Sequence, residues 1–231
     1  MRKIGIISAM ELEVDALKAQ LSHVAVTQKA GMEFHEGTLN GAPVVVVQCG
    51  IGKVNASLCV QILADLFAVT HVINTGVAGS LNAKLDIGDI LVSTEAVHHD
   101  VDVQIFGYAP GEVPGIGCQA FKADAAMAEK ALEICAKETD FRAIPGRVVS
   151  GDQFISDSAV KDRLISVFAG DCAEMEGASI AQGAYLNGLP FLILRAISDK
   201  ADGSAELDYP TFERTAARRC ADLVQKLVAE I

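Results

Sequence analysis

Short apolar runs alternate along this chain with longer segments in which apolar residues recur every three or four positions. The first pattern is typical of strands buried on both faces of a sheet, and the second is typical of amphipathic helices. The clearest strand is a near-continuous apolar run over residues 191–194 and 196–197, interrupted by Arg195, which leads directly into Ser198 and Asp199. The alternation predicts an α/β fold with three layers, in which helices flank a mixed, twisted central β-sheet.

The remaining elements follow from the same two periods and from turn residues between them. An Asn40-Gly41 turn predicts a hairpin between two of the strands. No repeat, linker or low-complexity segment interrupts the pattern, which predicts one domain over residues 1–231. Further strands are expected at 3–7, 33–39, 44–48, 71–74, 89–93, 95–103, 147–150 and 172–175. Helices are expected at 11–20, 54–67, 123–137, 158–167, 177–185 and 210–230, the last with Pro210 in its first turn.

The composition limits the kinds of molecule that the protein is expected to bind and the compartment in which it is expected to act. The formal net charge of -11 argues against nucleic acid and anionic membranes, which both attract basic surfaces. No apolar run approaches the roughly 20 residues that span a bilayer, and residues 4–10 are too short for the core of a signal peptide. The six cysteines show no paired spacing and predict reduced thiols in a cytoplasmic protein.

Three acidic residues stand just beyond three separate predicted strands: Glu13, Glu176 and Asp199. In α/β sheets ligands bind outside the carboxyl ends of the strands, and clustered acids need a cation or a protonation change. Arg195 is the nearby cation that the sequence offers. Two carboxyls in different environments suit cleavage of a glycosidic bond, since one protonates the leaving group and the other assists water. In a nucleoside the leaving group is a purine, whose N7 must gain the proton.

Other polar and glycine-rich segments have more ordinary interpretations. The Gly50–Lys53 segment lacks the spacing of a phosphate-binding loop, so close backbone approach is expected there. Strand alternation separates His98 and Asp100 from His99, which favours a hydrogen-bonded strand end over a metal site. Gly76 and Gly79 leave room for a flat group beside the backbone. The Gly- and Pro-rich residues 104–120 predict a lid, a binding loop or an interface.

Seven motifs, in order along the chain, resemble those of the 5′-methylthioadenosine/S-adenosylhomocysteine nucleosidases, members of the purine nucleoside phosphorylase-like superfamily. They are KIGIISAMELEV, CGIGKVNA, NTGVAGS, HHDVDVQIFGY, VSGDQFI, AEMEGASIA and RAISDKAD. The resemblance covers nearly the whole chain. It implies the nucleoside phosphorylase-like fold, no cofactor and no metal. The implied reaction is hydrolysis of methylthioadenosine and S-adenosylhomocysteine to adenine and the thio-ribose product, with a role in methionine salvage and amino-acid biosynthesis.

The resemblance also implies roles for individual residues. Asp199 corresponds to the general acid at adenine N7, and Glu13 to the base that positions the attacking water with help from Arg195. Glu176 is expected to hold the ribose hydroxyls, with Met175 packed against the sugar.

The other implied positions bind the purine and the 5′ substituent. Phe154 is expected to stack on adenine, the backbone of Ile155 to bind its Watson–Crick edge, and Ser198 to lie beside the acid. The family is homodimeric, and its long loop reaches the neighbouring site. The further lining residues implied are Ile51, Ala78, Met10 and Tyr209, together with Val103, Phe106 and Pro114 from the partner subunit.

Two positions depart from the family pattern. Val77 stands where many relatives have a Ser whose hydroxyl supports the acid, which leaves Ser198 as the neighbouring hydroxyl. Tyr209 replaces a common Phe and adds a polar tip.

Three alternatives remain open at this point. A phosphate-dependent phosphorylase of the same fold would need anion-binding donors, which the Gly50–Gly52 segment and Val77 do not supply. An aminodeoxyfutalosine nucleosidase, alone or with dual use, would share the same generic apolar pocket. A catalytically silent nucleoside-binding protein would not need Glu13, Glu176, Arg195 and Asp199 together.

Overall fold

The strands of the protein all belong to one sheet. The computed structural model describes residues 2–231, and the side chain of Leu207 lies outside that description. The strands are Ile4–Ser8 (β1), Ser22–Lys29 (β2), Met32–Leu39 (β3), Ala42–Gln48 (β4), His71–Ser80 (β5), Ile90–His98 (β6), Phe121–Lys122 (β7), Ala143–Ser150 (β8), Cys172–Glu174 (β9) and Phe191–Asp199 (β10). The helices are Glu11–Lys18 (α1), Lys53–Phe67 (α2), Ala125–Cys135 (α3), Ser158–Phe168 (α4), Gly177–Leu186 (α5) and Ala205–Val228 (α6).

Strand β5 is the centre of the sheet. It pairs in parallel with β1 and β10, and antiparallel with the short β9. Strands β6, β8 and β9 run parallel to one another, and β6 pairs antiparallel with β10. The β5, β9, β8, β6 and β10 strands therefore pair in a closed circle, from which β1, β4, β3 and β2 extend as an open sheet. This arrangement confirms the predicted mixed sheet.

Two apolar layers cover the sheet. Strand β10 shows why: Leu192 and Leu194 belong to the cluster formed with α1, α3 and α6, whereas Phe191 and Ile193 belong to the cluster formed with α2 and α5. A strand that contributes to both clusters must be largely apolar, as β10 is apart from Arg195, Ser198 and Asp199. The three-layer α/β prediction is thus confirmed. No helix among the described residues has the length and hydropathy needed to span a bilayer.

Several predicted boundaries were wrong. Strand β2 was not predicted, because all eight of its residues are exposed and show no apolar period. Strand β5 continues to Ser80 instead of ending at residue 74. The two strands expected over 89–103 are the single strand β6, in which a register shift between Ser93 and Glu95 imitates a break. Helix α6 begins at Ala205, so Pro210 lies inside it and not in its first turn.

Candidate active site

A cavity of about 330 Å³ opens beside the ends of β1 and β10, within the size range of small-molecule sites. It contains the side chains of all three predicted acids and of a fourth, Glu174. Strand β9 is antiparallel to β5 and pairs with its last residues. Glu176, just beyond β9, therefore lies beside the end of β5 and does not share a carboxyl edge with Glu13 and Asp199. The lining residues are Ala9, Met10, Glu13, Ile51, Val77, Ala78, Gly79, Phe154, Ala173, Glu174, Met175, Glu176, Ser198, Asp199 and Tyr209.

Asp199 is the last residue of β10 and is 2% exposed. A bulge at Ser198 shifts the pairing of β10 with β5, and such bulges redirect side chains at strand ends. The Ser198 hydroxyl donates to Asp199 Oδ2 at 2.9 Å, and the Ala201 N–H donates to Oδ1 at 2.8 Å. Burial nevertheless raises the pKa of Asp199 above its ordinary value. The carboxyl is therefore disposed to carry a proton into the cavity.

Glu13 lies in the first turn of α1, where its carboxylate turns back toward the strand end. Its Oε2 accepts the backbone N–H groups of Ala9 (3.1 Å) and Met10 (3.0 Å) and lies 2.6 Å from the Ser8 hydroxyl. Its Oε1 accepts the N–H of Val77 at 3.1 Å. A glutamate at this helical position commonly accepts the N–H of the residue that precedes the helix. Here the same geometry fixes the carboxylate in the cavity wall.

Glu174 is a site residue that the sequence analysis missed. It pairs with the guanidinium of Arg195 and also accepts a hydrogen bond from the Ser150 hydroxyl and, at 2.8 Å, the N–H of Gly177. Although burial opposes ionisation, Arg195 and these donors hold the pKa of Glu174 below its ordinary value. Arg195 is 2% exposed, lies behind the lining, and donates to Asn74 Oδ1 at 2.6 Å. The predicted partner of Glu13 is thus bound mainly to another carboxylate.

Glu176 precedes α5 and is almost fully buried. Its Oε1 accepts the N–H of Gly52 at 2.8 Å, and its Oε2 lies 4.0 Å from Arg195 Nη2. Burial, and then the negative charge of Glu174, raise the pKa of Glu176 to about 7. The raised pKa of Glu176 therefore contrasts with the lowered pKa of Glu174, because Glu174 forms the closer ion pair with Arg195.

Gly76 and Gly79 were expected to leave room for a flat group beside the backbone. Gly79 does line the cavity, but protein side chains crowd the position that a Cβ would take on either glycine. A Cβ on Gly76 would lie 2.7 Å from Glu13 Oε1 and 2.8 Å from Arg195 Nη1. A Cβ on Gly79 would lie 2.7 Å from Asp199 Oδ1. Both glycines also lie within β5, not beyond it. They allow the functional side chains themselves to approach the backbone.

Aromatic and apolar side chains form the opposite wall. Phe154 is half exposed, and its ring meets that of Tyr209 edge to face at 5.6 Å between centroids. The Tyr209 hydroxyl lies 3.2 Å from Met10 Sδ, and burial raises the pKa of this hydroxyl. Ile155 lines a smaller adjoining cavity of about 30 Å³ that also includes Met175 and Asp199. The wall is thus suited to a flat ring lying near Asp199.

Three predicted pocket residues lie elsewhere. Val103, Phe106 and Pro114 do not line the cavity of their own chain, and Phe106 is 76% exposed. They belong to the long segment between β6 and β7, which contains a short 3₁₀ turn at Gln104–Phe106. Their assignment to the pocket of a partner subunit therefore stays a prediction.

The His98–Asp100 segment has contacts of its own. His98 Nε2 lies 2.9 Å from Gln182 Oε1, and Lys53 Nζ donates to Asp100 Oδ1 at 2.6 Å. Within residues 2–231, no group of three or more His, Cys, Asp or Glu side chains is arranged to hold a metal ion.

Comparison with known proteins gives concordant matches over the full chain. The phosphorylase superfamily model matches residues 3–229. A 5′-methylthioadenosine/S-adenosylhomocysteine nucleosidase of Geobacillus sp. (strain WCH70) is 41% identical over 230 residues, which cover 99% of each chain.

Two solved structures are similar along the whole chain. One is a nucleosidase of the same name from Neisseria meningitidis in complex with methylthio-immucillin-A, with a TM-score of 0.97, 36% identity and full coverage of both chains. The other is a futalosine hydrolase of Helicobacter pylori strain 26695, with a TM-score of 0.93 and 32% identity. It covers 100% of this chain and 98% of its own.

Proposed function

Because the chain belongs to the phosphorylase superfamily, and within it to the 5′-methylthioadenosine/S-adenosylhomocysteine nucleosidases, we propose that it hydrolyses the N-glycosidic bond of these two nucleosides. The products are adenine and the corresponding thio-ribose. Transition-state stabilisation of an oxocarbenium-like sugar is the chemical task that the site must perform.

The observation that carries this proposal is the charge of the cavity. Four carboxyls line it, and no Lys, Arg or His does so among the described residues. The nearest guanidinium, that of Arg195, is buried behind the lining and paired with Glu174. A phosphorylase must hold a phosphate anion beside the sugar, which such a wall would repel. Water, in contrast, is a neutral nucleophile that a carboxylate can orient and deprotonate.

The roles of the acids follow from their surroundings. Asp199, with its raised pKa, protonates N7 of the departing adenine. Glu13, held by three backbone N–H groups, positions and deprotonates the attacking water. Glu176 accepts hydrogen bonds from the ribose hydroxyls, and Met175 packs against the sugar. General acid–base assistance of this kind contributes roughly 10²–10⁴ in rate for each group.

Different walls of the cavity contact the adenine base and the 5′ substituent. Phe154 stacks on adenine, with the backbone of Ile155 at its Watson–Crick edge, and Ser198 stays bonded to the acid. The polar groups of the site thus meet the base and the ribose. The apolar lining residues serve the remainder of the ligand: Met10, Ile51, Ala78 and Tyr209.

A homodimer completes the 5′ pocket in this proposal. Val103, Phe106 and Pro114 of each subunit reach the cavity of the other. The exposed apolar residues of α2, α5 and the long loop supply the interface: Val54, Leu58, Leu66, Ile105, Tyr185 and Leu186. Helices α2 and α5 pack against each other, and large exposed apolar patches mark protein interfaces. The enzyme would act in the cytoplasm, in methionine salvage.

A second substrate class deserves a direct test, because a similar structure is a futalosine hydrolase. Aminodeoxyfutalosine shares the adenine and ribose but carries a larger 5′ group. The generic apolar character of the 5′ wall permits both substrates.

The experiment measures adenine release from methylthioadenosine, S-adenosylhomocysteine and aminodeoxyfutalosine, each with and without phosphate. Phosphate-independent release is expected, and the order of kcat/KM values identifies the substrate. A requirement for phosphate would establish a phosphorylase, and no release from a folded dimer would favour a binding protein. Asp199→Asn and Glu13→Gln should each nearly abolish turnover without loss of fold, and full activity of either variant would refute its assigned role.

A further inference from the structure

Three loops are joined by a closed set of hydrogen bonds, and two of them contribute Ile51 and Phe154 to the cavity wall. Asp100 follows β6 by two residues, and Asp152 follows β8 by two residues. These parallel strands end in register, with His98 opposite Ser150, so the two aspartates meet above the sheet. Lys53, at the start of α2, lies between them. We define the Asp100, Lys53 and Asp152 residues as the rim clasp.

The rim clasp contains three hydrogen bonds. The Lys53 ammonium donates to Asp100 Oδ1 at 2.6 Å, and the Asp152 N–H donates to Asp100 Oδ2 at 3.0 Å. The Lys53 N–H donates to Asp152 Oδ1 at 2.8 Å. Each residue therefore bonds to both of the others, and removal of any one opens the ring. Partial burial would raise the pKa of Asp100, but the bonds from Lys53 and Asp152 outweigh it and lower that pKa below its ordinary value.

Asp152 supplies the cap that α2 lacks. The residue before this helix is Gly52, with φ of 97°, which has no side chain to accept the free N–H groups of the first turn. Such groups require an acceptor, and a carboxylate there also meets the positive end of the helix dipole. Asp152 provides both from another loop. Gly52 is constrained as well, since a Cβ there would lie 3.1 Å from Asp152 Oδ1.

Two of the loops that the rim clasp joins, those of Lys53 and Asp152, also carry a part of the site. The Gly52 N–H, next to Lys53, donates to Glu176 Oε1. Phe154 and Ile155 follow Asp152 by two and three residues. Val103, which follows Asp100 by three, does not line this cavity and is assigned to that of the other subunit. We infer that Asp100, Lys53 and Asp152 are positioning residues that hold the adenine-binding and ribose-binding loops at a fixed separation. This inference rests on the proposed nucleosidase function.

This role predicts which kinetic constant changes. The rim clasp supports groups that bind the substrate, whereas proton transfer is assigned to Asp199 and Glu13, which it does not contact. Loss of binding shared by the ground state and the transition state raises KM and leaves kcat unchanged. A hydrogen bond to a charged group corresponds to about a tenfold change or more in an equilibrium constant. Asp152→Ala should therefore raise KM and the adenine inhibition constant about tenfold, with kcat within about twofold.

The companion variants separate positioning from general stability. Asp152→Asn retains an acceptor for the Lys53 N–H and should keep the parental KM. Asp100→Ala should resemble Asp152→Ala, and the double variant should be no worse than either, because both open one ring. Glu36→Gln is the control, because it removes an ion pair between Lys3 and Glu36 on β3, away from the cavity. That pair is 2.6 Å long, as is the Lys53–Asp100 pair of the rim clasp. Glu36→Gln should leave KM unchanged.

Amide hydrogen exchange tests the rim clasp without any substrate. In Asp152→Ala and Asp100→Ala, exchange over residues 151–155 should accelerate about tenfold, with no change in Glu36→Gln. If the parent protein releases no adenine from any nucleoside, the proposed function fails and exchange alone judges the rim clasp. If the parent is active, an unchanged KM together with unchanged exchange in Asp152→Ala overturns the inference. Equal impairment of Asp152→Asn and Asp152→Ala would overturn the capping role.

Discussion

Replacing Glu176 by Gln should stabilise the protein at alkaline pH while it abolishes ribose binding. The carboxyl of Glu176 is buried, and Arg195, its nearest cation, is engaged by Glu174. Gln keeps the acceptor that the Gly52 N–H uses at 2.8 Å and has nearly the same volume. The substitution therefore removes a buried negative charge with little change in packing.

The size of the effect follows from the pKa of Glu176, which burial and Glu174 raise from an ordinary 4.5 to about 7. A group whose pKa is raised by folding stabilises the folded state below its unfolded pKa. That contribution disappears as the pH rises through the folded pKa. One pH unit corresponds to about 1.4 kcal/mol, so the free energy of unfolding should fall by on the order of 3 kcal/mol between pH 4.5 and pH 8. Glu176→Gln is free of this loss.

Urea unfolding at several pH values between 5 and 8 measures the difference between the two proteins. The advantage of Glu176→Gln should grow with pH toward about 3 kcal/mol, or roughly 6–12 °C in Tm. Glu11→Gln, at an exposed position on the same chain, is the control for loss of one charge. A difference that stays constant with pH, or that grows in favour of the parent, would show that Glu176 is not a destabilised carboxylate.

Three further substitutions test neighbouring contacts. Arg195→Met should lower the free energy of unfolding by about 3–5 kcal/mol, because it leaves Glu174 buried without its cation, and Glu174→Gln in the same chain should recover part of the loss in urea unfolding. Gly79→Ala should reduce kcat at least tenfold, because the new Cβ displaces Asp199. Gly203→Ala, with no atom within 4 Å of the new Cβ, should leave kcat unchanged. Equal kcat values for the two variants would contradict the crowding argument. Ser198→Ala removes a bond that favours the ionised form of Asp199, so the pKa of Asp199 should rise further and the alkaline limb of the kcat/KM profile should move to higher pH; a shift to lower pH would exclude this role.

The sequence predicts most of this fold because the buried strands and amphipathic helices carry strong apolar patterns. The fold differs from the prediction where other forces decide. Strand β2 has both faces in water, so nothing in its residues distinguishes it from a loop, and its pairing with β3 determines its conformation. The far half of β5 contains two glycines, which in sequence indicate the end of a strand. Their function becomes visible only when Glu13, Arg195 and Asp199 are seen packed against them.

The candidate site was predicted less completely than the fold. Position relative to strand ends selected Glu13, Glu176 and Asp199, all of which line the cavity. Glu174 was overlooked because it lies inside the short strand β9, two residues before Glu176, and only acids just beyond strand ends were considered. A buried arginine requires a buried carboxylate, and this rule applied to Arg195 could have raised the question of its partner. Distance along the chain could not identify that partner as Glu174.

The arrangement of charge explains why one carboxyl, and not another, is assigned to proton donation. Glu174 and Asp199 both line the cavity and are both buried. Arg195, the Ser150 hydroxyl and the Gly177 N–H favour the ionised form of Glu174 and outweigh its burial, which lowers its pKa and makes it a poor acid. Asp199 has two donors and, among the described residues, no cation paired with it, so burial prevails and its pKa rises. Environments that separate the pKa values of neighbouring carboxyls define their roles in acid–base catalysis. Arg195 thus keeps Glu174 ionised, which leaves Asp199 as the one of these two carboxyls that can donate the proton.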